Sequence, residues 1–484
     1  MVCLWKITAA TKNVGLPYVL GYGNTREVHR GSYVRMWRNN GRRIWRIVVL
    51  LACGPLFCAC EASLRTSFNG LGERPESGGI IVADEPQAVR IAQEILEIGG
   101  SAADAAVTLG FSLSVTLQSS AGLGGGGLCL VYDAERDRAD VLDFIPSPAG
   151  GHGDAANWQV AVPSLVRGLY ALHAKNGVLP WQQVVVPAEK LARSGFTVGR
   201  SFALDLSQSS MTLANDPKSL DVFMSSERTM AVEGDRIDLP DLAARLGRIR
   251  SGSPTDFYTR DLETSVDSST VYAGTSLSID DLRAYVPTWK PAESTKIGFI
   301  EYYSAIAFGA HNVEVQRNVA RTQVDFVEAS HLSKSSAATG FLVADAGGNA
   351  VACSLTMVSP FGLGLMPTEL GFLLAPSPTE IAEFVPPLFA GIAVDHRARD
   401  VHYAAASGGA DVTKQIETSV RSLIDGQADL SASFMSSANT EDEFIGGQIN
   451  AMFCERGLKS GLNFCAVRRD PSGHGFGTII LGDR

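Results

Sequence analysis

A chain of 484 residues, 45% hydrophobic and 19% charged, can bury a large core and is too long for one small domain. Its 49 glycines and 21 prolines fall in short clusters between apolar runs, which argues against low-complexity disorder. A net charge of −10, with no basic face beyond residue 46, argues against a nucleic-acid partner, because phosphate contacts need clustered Lys and Arg.

Residues 1–35 have the pattern of neither a targeting signal nor a domain, and are read as an over-extended start. Met36 opens a stretch with four arginines and no acid, Met36 to Arg46, and an apolar run follows from Ile47 to Cys58. A basic region, a short apolar segment and small residues before a cut describe a secretory leader over 36–60. The run is too short and interrupted for a good membrane span. A cysteine closing such a segment is the pattern of a lipoprotein box. Cys60 is the preferred lipidation site, Cys53 is the alternative, and a plain signal cut near Ala59 is the third reading. Export with a lipid anchor is therefore expected, followed by a polar linker over 61–78.

Gly79 to Ala83 reads as a buried strand, and Glu85 to Gly99 has the 3.6-residue period of an amphipathic helix. Ser101 caps a second helix to Leu117 that is apolar on most faces and is expected to be buried. After the glycine run 122–127 come two strands, Leu128–Asp133 and Ala139–Phe144. From Gln159 to about Pro291 the pattern is mostly helical, over Leu165–Lys175, Trp181–Ser194, Leu239–Ile249 and Ser278–Ala284. Strands return after Lys296, at Thr339–Asp345, Ala350–Met357, Gly391–Val394 and His402–Ala406, with a helix at Val412–Asp425. Ala451–Cys454, Phe464–Val467 and Thr478–Leu481 complete the strands. Helix pairs around strands apolar on both faces indicate an α+β, layered αββα arrangement with an added helical region.

Four of the eight cysteines lie within the first 60 residues. Cys454 and Cys465 are close enough to close a small loop in an exported protein, while Cys129 and Cys353 read as core residues of apolar strands. No CxxC, HExxH or paired His/Cys cluster occurs outside the leader, so neither a metal site nor a cofactor is expected. His152, His311, His331, His396 and His402 share no acid or nucleophile spacing.

Three segments carry a more specific signal: Gly79–Phe144 with its Ser120-Ala-Gly-Leu-Gly-Gly-Gly126 loop, Val162–Phe196, and Ala338–Asp345 with Gly348-Asn-Ala-Val351, Thr356 and Phe361-Gly362. Their order and spacing resemble the γ-glutamyltransferase family, with residues 79–337 similar to its large subunit and 338–484 to its small subunit. The resemblance implies the four-layer αββα Ntn-hydrolase sandwich. It also implies γ-glutamyl transfer or hydrolysis on glutathione-like amides, and a γ-glutamyl or other amino-acid-like small molecule as partner.

Such an enzyme cuts its own chain before a threonine, whose freed amino group then serves as base for its hydroxyl. The family's threonine aligns with Ala338, which carries only a methyl group. The accompanying histidine is Gly340, the Ser/Thr after it Leu342, and the asparagine beyond the second threonine Val358. The carboxylate-binding arginine is Ile145, the serine pair is Phe389-Ala390, and the amine-binding acid falls in 375–378, Ala-Pro-Ser-Pro. The stretch from Lys296 to Ala337 is also shorter than its counterpart.

The candidate site residues are therefore Thr339, a rescue nucleophile one position on, Thr356, and Gly408 with Gly409 as oxyanion donors. Each has a plain structural reading: Thr339 and Thr356 as strand threonines, the glycines as a strand-to-helix turn. Pleating aims Thr339 away from Ala338's face unless a bulge intervenes. The expectation is a family member impaired at its catalytic centre and left unprocessed, with an active enzyme using Thr339 as the alternative.

Overall fold

The computed structural model describes residues 78–149, 160–225, 227–252, 256–258, 277, 279–308, 337–367, 370–378, 387–408, 419–426, 448–469 and 474–482. The chain divides into two units, Met1–Gly72 and Glu73–Arg484, and every described residue belongs to the second. The leader with Cys53 and Cys60, and Gly409, lie outside the described residues.

The chain begins with strand β1 (Gly79–Ala83) and helices α1 (Pro86–Glu97) and α2 (Ala102–Thr116). Glu85 caps α1 by accepting from the amides of Gln87 and Ala88, at 3.1 and 2.7 Å, and Pro86 supplies the preset first turn. Ser101 and Asp104 form a capping box at α2. All residues of α2 are buried, as its small apolar composition requires.

Strands β2 (Gly126–Asp133) and β3 (Arg138–Phe144) follow, then helices α3 (Leu165–Asn176) and α4 (Trp181–Ser194). A two-residue strand pair, β4 (Phe196–Thr197) and β5 (Arg236–Ile237), brackets α5 (Arg200–Gln208), α6 (Ser210–Leu213) and α7 (Pro217–Val222). Helices α8 (Pro240–Ser251) and α9 (Ile279–Ala284) complete the helical region.

Here the structure departs from the helical reading. Strands β6 (Thr288–Pro291), β7 (Glu293–Ile297) and β8 (Ile300–Phe308) follow directly, and the helical pattern stops at Ala284. Ala292 alone separates β6, at the edge of one sheet, from β7, at the edge of the other. The remaining strands are β9 (Ala338–Asp345), β10 (Ala350–Thr356), β11 (Pro387–Asp395), β12 (Asp400–Gly408), β13 (Gln448–Cys454), β14 (Cys465–Arg468) and β15 (Phe476–Ile480). Of the helix expected at Val412–Asp425, residues 419–425 are described, and 419–424 are helical.

The first sheet has the order β15-β1-β9-β10-β2-β3-β6 and the second β14-β13-β12-β11-β8-β7, with antiparallel neighbours throughout. Pleating sorts the side chains of each strand onto opposite faces. On β9, Phe341 and Val343 enter the apolar core shared with α1–α4, while Ala338, Leu342 and Ala344 enter the layer between the sheets. On β11, Ala390, Ile392 and Val394 face that layer, while Phe389 and Ala393 face outward beside Val420 and Leu423. These are the helix–sheet–sheet–helix layers expected from the pattern.

Cys129 and Cys353 are core residues, and in addition they are joined by a disulfide. They stand directly opposite one another on β2 and β10, a register that segment-by-segment reading could not supply. Cys454 and Cys465 are also bonded, across β13 and β14.

Candidate active site

The β9–β10 ladder opens with Ala338 opposite Thr356, both buried. The Thr356 hydroxyl donates to the Ala337 carbonyl oxygen at 2.8 Å, and the Met357 amide donates to the same oxygen at 3.0 Å. In return the Thr356 oxygen accepts from the Val358 amide at 2.8 Å. The chain turns sharply here, with Val358 at φ 67 and Phe361 at φ 58. A left-handed β-branched residue costs on the order of 1–3 kcal/mol, held in place here by the surrounding bonds.

Gly408, the last residue of β12, packs against Ala338. A Cβ added to Gly408 would lie 2.4 Å from the Ala338 Cβ and 2.8 Å from its carbonyl carbon. Gly340 is hemmed in by backbone, since a Cβ there would meet the Ala406 carbonyl carbon and the Ser407 nitrogen at 2.5 Å. On this backbone no side chain fits at 340. Ser354 ties the same sheets together, its hydroxyl bonding the Phe389 carbonyl at 2.9 Å and the Ser407 carbonyl.

Thr339 is held elsewhere. Its hydroxyl donates to Asp84 Oδ2 at 2.6 Å, and Asn450 donates to Asp84 Oδ1 and to the Gly340 carbonyl oxygen, both at 2.7 Å. All three side chains are buried. Asp84 and Asn450 escaped the sequence reading; the one signal was an acidic residue closing an otherwise apolar strand.

The remaining positions are apolar or engaged. Ile145 packs against the layer between the sheets, and its carbonyl oxygen accepts from the Tyr285 hydroxyl at 3.0 Å. Burial pushes the Tyr285 phenol up, so it remains a donor. Arg167 lies over the Tyr258 ring at 4.0 Å and donates to the carbonyl oxygens of Leu282 and Tyr285. At the position aligned with the amine-binding acid, Ala375 and Ser377 are buried and the Ala375 carbonyl accepts from Ala161 N.

The structure therefore brings Ala338, Thr356 and Gly408 together and places Thr339 on another network. His396 meets Asp137, Glu301 and Tyr303, contributed by two distant segments. His152, His311 and His331 lie outside the described residues. Among the described residues, no group of three His, Cys, Asp or Glu side chains could hold a metal ion.

Two antiparallel sheets covered by helices, with the chain's second half entering the inner layer at residue 338, define an Ntn-hydrolase-type sandwich. A cephalosporin acylase from Bacillus halodurans shares this fold, with a TM-score of 0.62 at 14% identity over 84% of this chain and 96% of that one. A family model for gamma-glutamyltranspeptidase matches residues 88–316. Glutathione hydrolase 7 of Mus musculus is 31% identical over 217 residues, 43% of this chain and 32% of its own length. A glutathione hydrolase of Aspergillus flavus is 32% identical over 232 residues, 45% of this chain and 38% of its own. The chain spans about a third of the length of these curated relatives. Residues 88–316 are thus similar to the gamma-glutamyltranspeptidase family.

Proposed function

We propose that this chain is a γ-glutamyltranspeptidase scaffold that neither cuts itself nor forms a γ-glutamyl-enzyme, and that it serves as an exported binding protein for a γ-glutamyl or other amino-acid-like small molecule. The observation that carries the reading is the methyl group of Ala338. It stands opposite Thr356 and against Gly408, and it offers no lone pair to attack a carbonyl. Ile145, aligned with the family's carboxylate-binding arginine, is apolar, as are Phe389-Ala390 at its serine pair, so a substrate would lose its anchor as well as its nucleophile.

The alternative uses Thr339. Its hydroxyl lies 2.6 Å from a carboxylate that could take its proton, which favours it chemically. Its burial and its place on the opposite register from Ala338 weigh against it. The two readings separate on a denaturing gel with N-terminal sequencing and a γ-glutamyl anilide assay. An intact chain without turnover supports the impaired scaffold; a fragment beginning at Thr339 sinks it.

Two disulfides fit an oxidising compartment and support the export reading. Lipid anchoring at Cys60 is tested by metabolic labelling with a radioactive fatty acid. Loss of label in Cys60→Ser supports that site, loss in Cys53→Ser moves the anchor to Cys53, and an unlabelled wild type removes it.

A further inference from the structure

At the opposite end of the β10–β2 ladder from Thr356, a cluster of titratable side chains joins the two sheets. Asp137 closes the β2–β3 turn at φ 51. Its Oδ1 accepts from the Tyr132 hydroxyl at 2.8 Å and lies 2.6 Å from Nδ1 of His396, in the β11–β12 turn of the other sheet. His396 Nε2 lies 2.9 Å from the Tyr303 hydroxyl and 3.5 Å from Glu301 Oε2, both on β8. The rings of Tyr132 and Tyr303 stand edge-on to the imidazole.

The charged and titratable groups around the ring come from every neighbouring element. Asp137 and Tyr132 approach from the first sheet, and Glu301 and Tyr303 from β8. Within its own turn, Arg399 reaches across to the Glu135 carbonyl, while Asp395 and Arg397 pair with each other. Burial opposes ionisation of Asp137, but the hydrogen bonds from Tyr132 and His396 prevail and hold its carboxyl below the usual range. The His396, Asp137 and Glu301 side chains are each about a quarter exposed, so solvent protons reach them.

We propose that His396 is a proton-gated clasp between the two sheets. With the ring neutral, Nδ1–H donates to Asp137 and Nε2 accepts the Tyr303 hydroxyl, so Glu301 receives nothing from it. A proton taken from solvent adds an N–H at Nε2, which turns to Glu301 and the Tyr303 oxygen. The bond to Asp137 becomes charge-assisted at the same time. No covalent bond between heavy atoms changes, and the proton returns to solvent as the pH rises. The clasp tightens when the ring takes up a proton, independently of the chemistry at position 338.

Hydrogen exchange on the full chain tests this, read on peptides spanning 130–140 and 392–403 at pH 5.5 and pH 8. Each variant is compared with wild type at the same pH, which cancels the intrinsic pH dependence of exchange. His396→Gln should speed exchange at both pH values, with an additional factor on the order of fivefold at pH 5.5. Glu301→Gln keeps the neutral-ring bonds, so it should match wild type at pH 8 and exchange faster only at pH 5.5. Equal ratios at the two pH values for His396→Gln would overturn the clasp. So would a Glu301→Gln chain that retains the full wild-type protection at pH 5.5.

Discussion

Thr356 donates its hydroxyl hydrogen to the carbonyl oxygen of Ala337 at 2.8 Å, and the neighbouring Met357 amide completes a two-donor clamp on that oxygen at 3.0 Å. Donors on a carbonyl oxygen stabilise the negative charge that develops when its carbon is attacked. The clamp therefore polarises the peptide bond just before residue 338, where the family's cleavage would fall, and the residue that should attack it is alanine.

Restoring the hydroxyl tests whether only the nucleophile is missing. In Ala338→Thr, the new oxygen attacks the Ala337 carbonyl carbon, the chain shifts from amide to ester, and water releases residues 338–484 with an N-terminal threonine. A denaturing gel and N-terminal sequencing should show this fragment. Adding Thr356→Ala removes one donor and should slow cleavage by about 100- to 1,000-fold. Turnover of a γ-glutamyl anilide should remain absent, because Ile145 still offers the substrate carboxylate nothing. An uncut Ala338→Thr chain would show that the clamp is structural only.

The contact between Ala338 and Gly408 predicts a coupled pair of substitutions. Gly408→Ala drives a methyl to 2.4 Å from the Ala338 Cβ and should cost about 1–3 kcal/mol of stability. Ala338→Gly in the same chain lifts that clash but leaves the backbone contacts at 2.8 and 3.0 Å, so recovery should be partial. Urea denaturation of the four proteins measures the coupling, expected on the order of 0.5–3 kcal/mol. Simple additivity would mean that the two strands move apart to admit the methyl.

Much of this centre was legible because β9 and β10 are continuous apolar strands with a fixed alignment, so Ala338 and Thr356 could be placed before any coordinates. Gly408's position against Ala338 depends on how two sheets stack, which no local pattern encodes. Strands β6 and β7 were missed because they run along sheet edges and are mostly exposed, leaving Thr288–Ile297 without an apolar alternation. The His396 cluster rests on a bond between residues 259 positions apart. Val358 reads differently once φ 67 is known: asparagine, which the family resemblance expects there, tolerates that conformation far better than valine.

The two disulfides should contribute unequally. A cross-link stabilises by restricting the unfolded chain, more so for a longer loop. Separations of 224 and 11 residues correspond to about 5 and about 3 kcal/mol in the chain-entropy picture. Cys129→Ala/Cys353→Ala should therefore lower the urea midpoint more than Cys454→Ala/Cys465→Ala. The reverse order would point to residual structure in the unfolded chain that already brings β2 and β10 together.

Glu85 gives the stability a pH dependence whose sign can be worked out. Burial pushes its carboxyl above the unfolded value of 4.5, although the Gln87 and Ala88 amides, Thr116 and Arg90 pull the other way. The folded state therefore prefers the neutral carboxyl. That preference is fully present below pH 4.5 and is lost as the pH rises through the folded-state value. Glu85→Gln removes the titration while keeping the shape, but it places an NH2 where the neutral carboxyl still has a second oxygen facing the α1 amides. The variant should thus be the weaker protein at pH 4, and the gap should close or reverse towards pH 7.5. Thermal midpoints of both proteins at the two pH values decide it. A gap that widens with pH would mean that the charged carboxylate, acting on the N-terminus of α1, outweighs its own burial.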